Sequence, residues 1–251
     1  MNCLGCTTIQ IRPSSNIEIT TKNLEVKQSL SQILAAPKFQ NWLQRLDISI
    51  LDIDHIRIDH VKWFCNPANP DPAKLGFLYL EVIAKEKHTN KPLPGIVFLR
   101  GNAVAVLISV NVGSEEYIIF TEQTRVPVGR KIVEIPAGMM DDSSNFAGVA
   151  MKEISEETGL KAPHVNDLKL LGKIIPSAGG CDEEISLFFW KTSVSMEKKD
   201  EILSKIHGNS EENESIKILF IPKMNAHSYL LQTGDVKGIS AWMYALHKGY
   251  I

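Results

Sequence analysis

Four short runs between Phe77 and Thr121 constrain most what this chain can fold into. They read FLYLEVIA (Phe77–Ala84), IVFL (Ile96–Leu99), AVAVLISV (Ala103–Val110) and YIIFT (Tyr117–Thr121). Each is rich in β-branched or aromatic residues and is bounded by turn formers, the signature of a strand. A further strand is expected over His55–Phe64, where the apolar phase slips by one residue between Ile58 and Val61, as across a β-bulge. Others are expected at Leu168–Ile175, Ile185–Thr192 and Ile216–Ile221. Helical spacing interrupts this series. It falls at 27–46, where Pro37 divides two short helices, from Asn145 to near Gly159, near Lys223–Leu231 and over Gly238–His247. Strands interleaved with a few helices, without regular βαβ alternation, predict an α/β fold with a mixed sheet. Asn66–Lys74 is a proline-rich loop, and the polar residues 1–25 read as a poorly ordered tail.

The chain has 251 residues and a formal net charge of −2. Such a balance excludes broad electrostatic attraction to nucleic acid or anionic lipid, so phosphate binding requires a local site. No apolar run reaches the roughly 20 residues that a membrane span needs. The first residues lack the basic and apolar regions of a secretory signal and match an Arg-rich transit peptide weakly, so a cytoplasmic location is expected. Four cysteines, Cys3, Cys6, Cys65 and Cys181, are too few for a disulfide framework. The Cys3/Cys6 pair lacks the second pair that a zinc site needs.

The segment richest in chemistry is GMMDDSSNFAGVAMKEISEETGL, Gly138–Leu160. On a helix, Glu153, Glu156 and Glu157 are three and four residues apart and share one face. An exposed acidic face would show the same spacing. However, Ala147, Val149, Ala150 and Ile154 give the helix a packed side, and glycines stand at both ends. Three carboxylates on one face repel one another, and a divalent cation such as Mg²⁺ relieves that repulsion.

This segment resembles the box of the Nudix hydrolases, G-x5-E-x7-R-E-U-x-E-E-x-G-U, with U a bulky aliphatic residue. Gly138 and the run Lys152–Leu160 keep the spacing. Ser144 stands where the family has its early Glu, and Lys152 where it has Arg. Upstream, TEQTRVPVGRKIVEIPAG (Thr121–Gly138) is similar to a segment of the ADP-ribose and ADP-sugar pyrophosphatase branch. Downstream, PSAGGCDEEIS (Pro176–Ser186) is similar to its S-P-G-G-x-x-E loop. From Phe39 to about Trp190 the chain looks like the plant-type ADP-sugar diphosphatases, relatives that also lack the early Glu.

The resemblance implies a Nudix α/β/α sandwich with a mixed sheet over 96–251, preceded by a small β-rich region over 26–95 that serves a homodimer. It implies metal ligands at the Ala137 carbonyl, Glu153, Glu156 and Glu157, with Mg²⁺ as cofactor and Mn²⁺ as a substitute. Substrate contacts fall on Arg100, Arg125, Glu134, Gly179 and Gly180. Glu183 or the adjacent Glu184 would activate the attacking water, with Glu156 beside them among the catalytic groups. The implied reaction is hydrolysis of a nucleoside-diphosphate sugar, of the ADP-glucose or ADP-ribose type, to NMP and sugar phosphate. GDP-mannose is a weaker substrate candidate. The alternative is an inactive module that binds nucleotide sugars as a sensor, motivated by Ser144 and Lys152.

Overall fold

The computed structural model describes residues 5–12, 15–140, 145–209 and 214–251. Ser144 and Cys3 lie outside them. The chain divides into two compact units, Met1–Gly101 with Ser177–Glu183, and Asn102–Pro176 with Glu184–Ile251. The expected division at 95/96 therefore falls six residues later, and a short downstream segment returns to the first unit.

In the first unit, strands β1 (Gly5–Arg12), β2 (Ser15–Thr21), β3 (Leu51–Trp63), β4 (Leu75–Glu86), β5 (Lys91–Leu93) and β6 (Ile96–Leu99) form one sheet. Its order is β1-β2-β3-β4-β5, with β6 also paired to β4. The β2–β3 pair is parallel and the rest are antiparallel. Residues 5–12 and 15–21 are thus strands within the stretch 1–25 that was expected to be a poorly ordered tail. β1 pairs with β2, and β2 in turn pairs with β3, a partner about 35 residues away in sequence, which local composition does not reveal. The expected slip in β3 is present as a register shift between Ile58 and His60. Helices α1 (Leu24–Gln28), α2 (Leu30–Ala35) and α3 (Pro37–Arg45) cover one face. Pro37 begins α3, where its missing N–H costs nothing. Val26, Ile33, Phe39, Trp42 and Leu43 pack there against Ile17, Ile19, Ile56, Ile58, Leu78 and Leu80.

The second unit is built on β7 (Ala103–Val112), β8 (Glu115–Arg125), β9 (Arg130–Glu134), β10 (Ala137–Met139), β11 (Lys169–Ile174), β12 (Ile185–Val194) and β13 (Lys217–Pro222). The order is β11-β12-β7-β8-β13, with β10 paired to β7 and β9 to β8. Only β12–β7 is parallel, so the sheet is mixed. Helices α4 (Phe146–Thr158), α5 (Met196–Leu203), α6 (Lys223–Thr233) and α7 (Val236–His247) complete it.

The central strand β7 shows how the sequence specifies three layers. Val104, Val106, Ile108 and Val110 join a core with Ala150 and Ile154 of α4 and Ile202 of α5. The intervening Ala103, Ala105 and Leu107 join a second core with Ala226 and Leu230 of α6 and Ala241 and Ala245 of α7. A continuous apolar run is what a strand covered on both faces requires. The result is an α/β/α sandwich, as expected. Among the described residues no helix is long and apolar enough to cross a membrane.

Candidate active site

Helix α4 carries the acidic residues. Asn145 caps it by accepting from Gly148 N at 2.9 Å, and Gly159 closes it with its N–H donating to Ser155 O. Ala150 and Ile154 are buried in the core beneath, which turns Glu153 and Glu157 toward β10. Two observations define that approach. Glu157 is 1% exposed, and its Oε2 accepts the Ala137 N–H at 3.0 Å. A Cβ built on Gly138 would stand 2.0 Å from Glu153 Cδ and Oε1. The glycine is therefore required by close approach: Glu153's carboxylate occupies the place of a side chain at 138.

Glu157 is raised well above the usual carboxylate range, first by burial and then by the charge of Glu153, with the Ala137 N–H opposing. Glu214 and Glu134 add further repulsion. Glu214 was not among the residues expected from the sequence. It lies in a segment docked on α4, where Gly208 N donates to Glu156 O at 3.0 Å and His207 exchanges backbone hydrogen bonds with Ile216. Glu156 points elsewhere: its carboxylate lies 3.6 Å from Lys152 Nζ, an i,i+4 pair. Among the described residues, no three His, Cys, Asp or Glu side chains form a ready metal cage. The group that the structure does gather is Ala137, Gly138, Glu153 and Glu157. A buried carboxylate beside a second one, with hard oxygen donors, fits a divalent cation such as Mg²⁺.

Arg125 and Glu134 prove to be partners of each other. Arg125 Nε donates to Glu134 Oε1 at 2.7 Å, and Lys237 Nζ donates to Glu134 Oε2 at 2.7 Å. Lys237 also pairs with Asp235 at 2.9 Å. Asp235 caps α7 and accepts Ile135 N, which ties the helix to the end of β9. Burial would raise the Glu134 carboxyl, but the charges of Lys237 and Arg125 outweigh it and hold the group below its ordinary range. Lys237 and Asp235 are site neighbours that the sequence reading missed, being about 100 residues from Glu134 and Ile135.

The remaining expected residues divide between the units. Arg100, Gly179, Gly180 and Glu183 belong to the first unit, where Arg100 Nε lies 3.1 Å from Glu183 Oε1. Glu184 belongs to the second, at the start of β12, and its carboxylate takes Lys173 Nζ at 2.6 Å.

The sequence is 36% identical over 200 residues to Nudix hydrolase 14, chloroplastic, of Arabidopsis thaliana, a match covering 73% of this chain and 62% of that protein. Nudix hydrolases are thus among the homologues of this chain, similar over most of its length. Two ADP-ribose pyrophosphatases are also similar to this chain. That of Bacillus subtilis is 35% identical over 100 residues, covering 40% of this chain and 51% of the relative. That of Haemophilus influenzae is 28% identical over 134 residues, covering 50% and 58%. The chain spans less than two thirds of the length of each of these relatives. No family model matches it.

Proposed function

We infer that this chain is a Nudix hydrolase that cleaves the diphosphate bond of a nucleoside-diphosphate sugar, of the ADP-ribose or ADP-glucose class, to a nucleoside monophosphate and a sugar phosphate. The observation that carries this reading is the Glu153/Glu157 pair against β10. Glu157 is the most buried carboxylate of the site, yet acids crowd it and one backbone N–H is its hydrogen-bond donor. Such an arrangement is costly unless an external cation completes it. Similarity to a Nudix hydrolase and the names of the two bacterial relatives support the choice of reaction.

In this reading Glu153, Glu157 and the Ala137 carbonyl would hold Mg²⁺, with Mn²⁺ as a substitute, and Glu156 would have to turn from Lys152 to join them. When bound, the cation supplies Lewis-acid neutralisation of charge on the phosphate oxygens. Arg125, oriented by Glu134, and Arg100 bind diphosphate oxygens, for which a guanidinium fork is suited. Gly179 and Gly180 allow the loop before Glu183 to approach the substrate. Glu183 or Glu184 takes a proton from the attacking water. Glu183 lies against Arg100 and Glu184 against Lys173. The roles of Arg100 and the Gly179–Glu183 loop rest on the resemblance alone. The homodimer belongs to the same reading. Its support is the exposure of Tyr79, Ile83, Ile96 and Phe98 on β4 and β6, since clustered apolar exposure marks interaction surfaces.

The test is Mg²⁺-dependent phosphate release from ADP-ribose and ADP-glucose, coupled to a phosphatase, with Glu157→Gln as the control. The variant is expected to lose more than about 10²-fold in turnover, the scale of one strong transition-state contact, with its fold intact. Near-normal activity in Glu157→Gln would sink the metal assignment. A wild-type chain that binds these nucleotides without turnover would favour the sensor.

A further inference from the structure

Asp182 lies between the glycine loop and Glu183, and its side chain is 4% exposed. Its two oxygens have separate duties. Oδ1 accepts Arg100 N at 2.8 Å and Gly101 N at 3.0 Å. Oδ2 accepts Arg45 Nη2, at the end of α3, at 2.8 Å. The same loop is held to β6 through its backbone: Phe98 N donates to Gly180 O at 2.7 Å, and Cys181 bridges Phe98 in parallel register. Arg100 is therefore fixed from several directions within the first unit. Its backbone N–H is held by Asp182, its guanidinium lies against Glu183, and the strand leading to it is pinned by Gly180. The turn at Gly101 has φ +83°, a conformation that needs glycine and is held by the Asp182 carboxylate. A buried carboxylate that collects two backbone N–H groups and a guanidinium is a strong, directional clamp.

We propose that Asp182 is a positioning residue for substrate binding, which presets the Arg100 guanidinium by clamping the Arg100–Gly101 turn to the Gly179–Glu183 loop. This rests on the reading of Arg100 as a diphosphate contact. Asp182 does not touch substrate; it acts through Arg100. Its worth is preorganisation, so its removal weakens binding more than it slows the chemical step.

A double-mutant cycle with Arg100→Ala separates this role from plain loop stability. Asp182→Ala is expected to raise KM for ADP-ribose by about tenfold, the scale of a lost charge-assisted hydrogen bond, with kcat changed less than about threefold. In the Arg100→Ala background the same change is expected to add less than about twofold. Asp182→Asn keeps an oxygen for the two N–H groups and loses the charge facing Arg45, so most of the affinity should return. An equal penalty with and without Arg100, or a fall in kcat at constant KM, overturns the proposal. If Asp182→Ala does not fold, the cycle is run with Asp182→Asn, where a rise in KM of about threefold that vanishes without Arg100 is expected and additivity refutes. If the wild-type chain does not turn over ADP-ribose, the cycle is read in Kd by calorimetry, so that loss of the hydrolase reading and loss of the Asp182 reading are told apart. A chain that neither hydrolyses nor binds ADP-ribose overturns both.

Discussion

One added methyl group at Gly138 tests the geometry of the acidic helix more sharply than removal of any carboxylate. The Cβ of Gly138→Ala would stand 2.0 Å from Glu153 Cδ and Oε1 and 2.5 Å from Cγ. The backbone itself accepts alanine, because Gly138 is not among the residues of positive φ and lies in β10 paired with Val104. All three atoms in the way belong to the far end of a flexible side chain. The clash is therefore relieved by a new Glu153 rotamer, at a cost on the order of 1 kcal/mol. For a chain of this size that lowers Tm by about 2–4 °C. The functional cost is much larger. Glu153's carboxylate must retreat by more than about 1 Å, and a misplacement of that size in a positioned site costs on the order of 10²-fold in rate.

The assay is Mg²⁺-dependent phosphate release at a series of metal concentrations, beside thermal unfolding of the same samples. The expected result is a near-native Tm with kcat/KM reduced on the order of 10²-fold and a higher Mg²⁺ requirement. Full activity in Gly138→Ala would refute the placement of Glu153 against β10 as a working feature. A fall in Tm well beyond the expected few degrees would show that the backbone, not the side chain, takes up the clash.

Two further outcomes follow from the buried charges. Lys237→Met leaves the buried Glu134 with Arg125 as its remaining cation, and is expected to cost on the order of 3 kcal/mol by chemical denaturation at pH 7. The Glu134 carboxyl, no longer held down by Lys237, then rises, so the gap to wild type should narrow on acidification; a gap that widens toward low pH would refute this. Burial would raise Glu116, but hydrogen bonds from Lys191, Ser109 and Lys223 outweigh it and hold the group at about 2, below its ordinary 4.5. A depressed folded value contributes stability that is full above the ordinary value and is lost as pH falls toward the folded one. Glu116→Gln should therefore show a flatter dependence of Tm on pH in that window, and an unchanged slope would sink the assignment.

The parts of the fold that were legible in the sequence are those whose local pattern matches their burial. AVAVLISV reads as a doubly covered strand because both sets of alternating residues enter a core. The phase slip after Ile58 shows directly as a shift of register. What escaped is structure imposed by distant partners. RKIVE of β9 and AGM of β10 are short, and β8 and β7 make them strands by pairing. The same holds for β2, joined in parallel to β3, and for the Ser177–Glu183 segment, which returns to the first unit through Phe98. Helices α1 and α5 span 5 and 8 residues, too short to give a clear periodic signal.

The site divides along the same line. Spacing alone put Glu153, Glu156 and Glu157 on one helix, and the four-residue step from Lys152 to Glu156 is readable in the same way. Spacing could not show that Glu156 is the carboxylate matched with a lysine while Glu157 is the one driven into the interior. That difference is the strongest physical argument for a cation. The other deeply placed acids are compensated from within: Glu134 by Lys237 and Arg125, Asp182 by Arg45 and two backbone N–H groups, Asp235 by Lys237 and three more. Glu157 is more buried than Glu134 or Asp235, yet its neighbours are Glu153, Glu214 and Glu134, against one N–H from Ala137. A fold that matches its buried acids with donors elsewhere, and crowds acid on acid here, supports the proposal that this place takes a positive charge from outside the described residues.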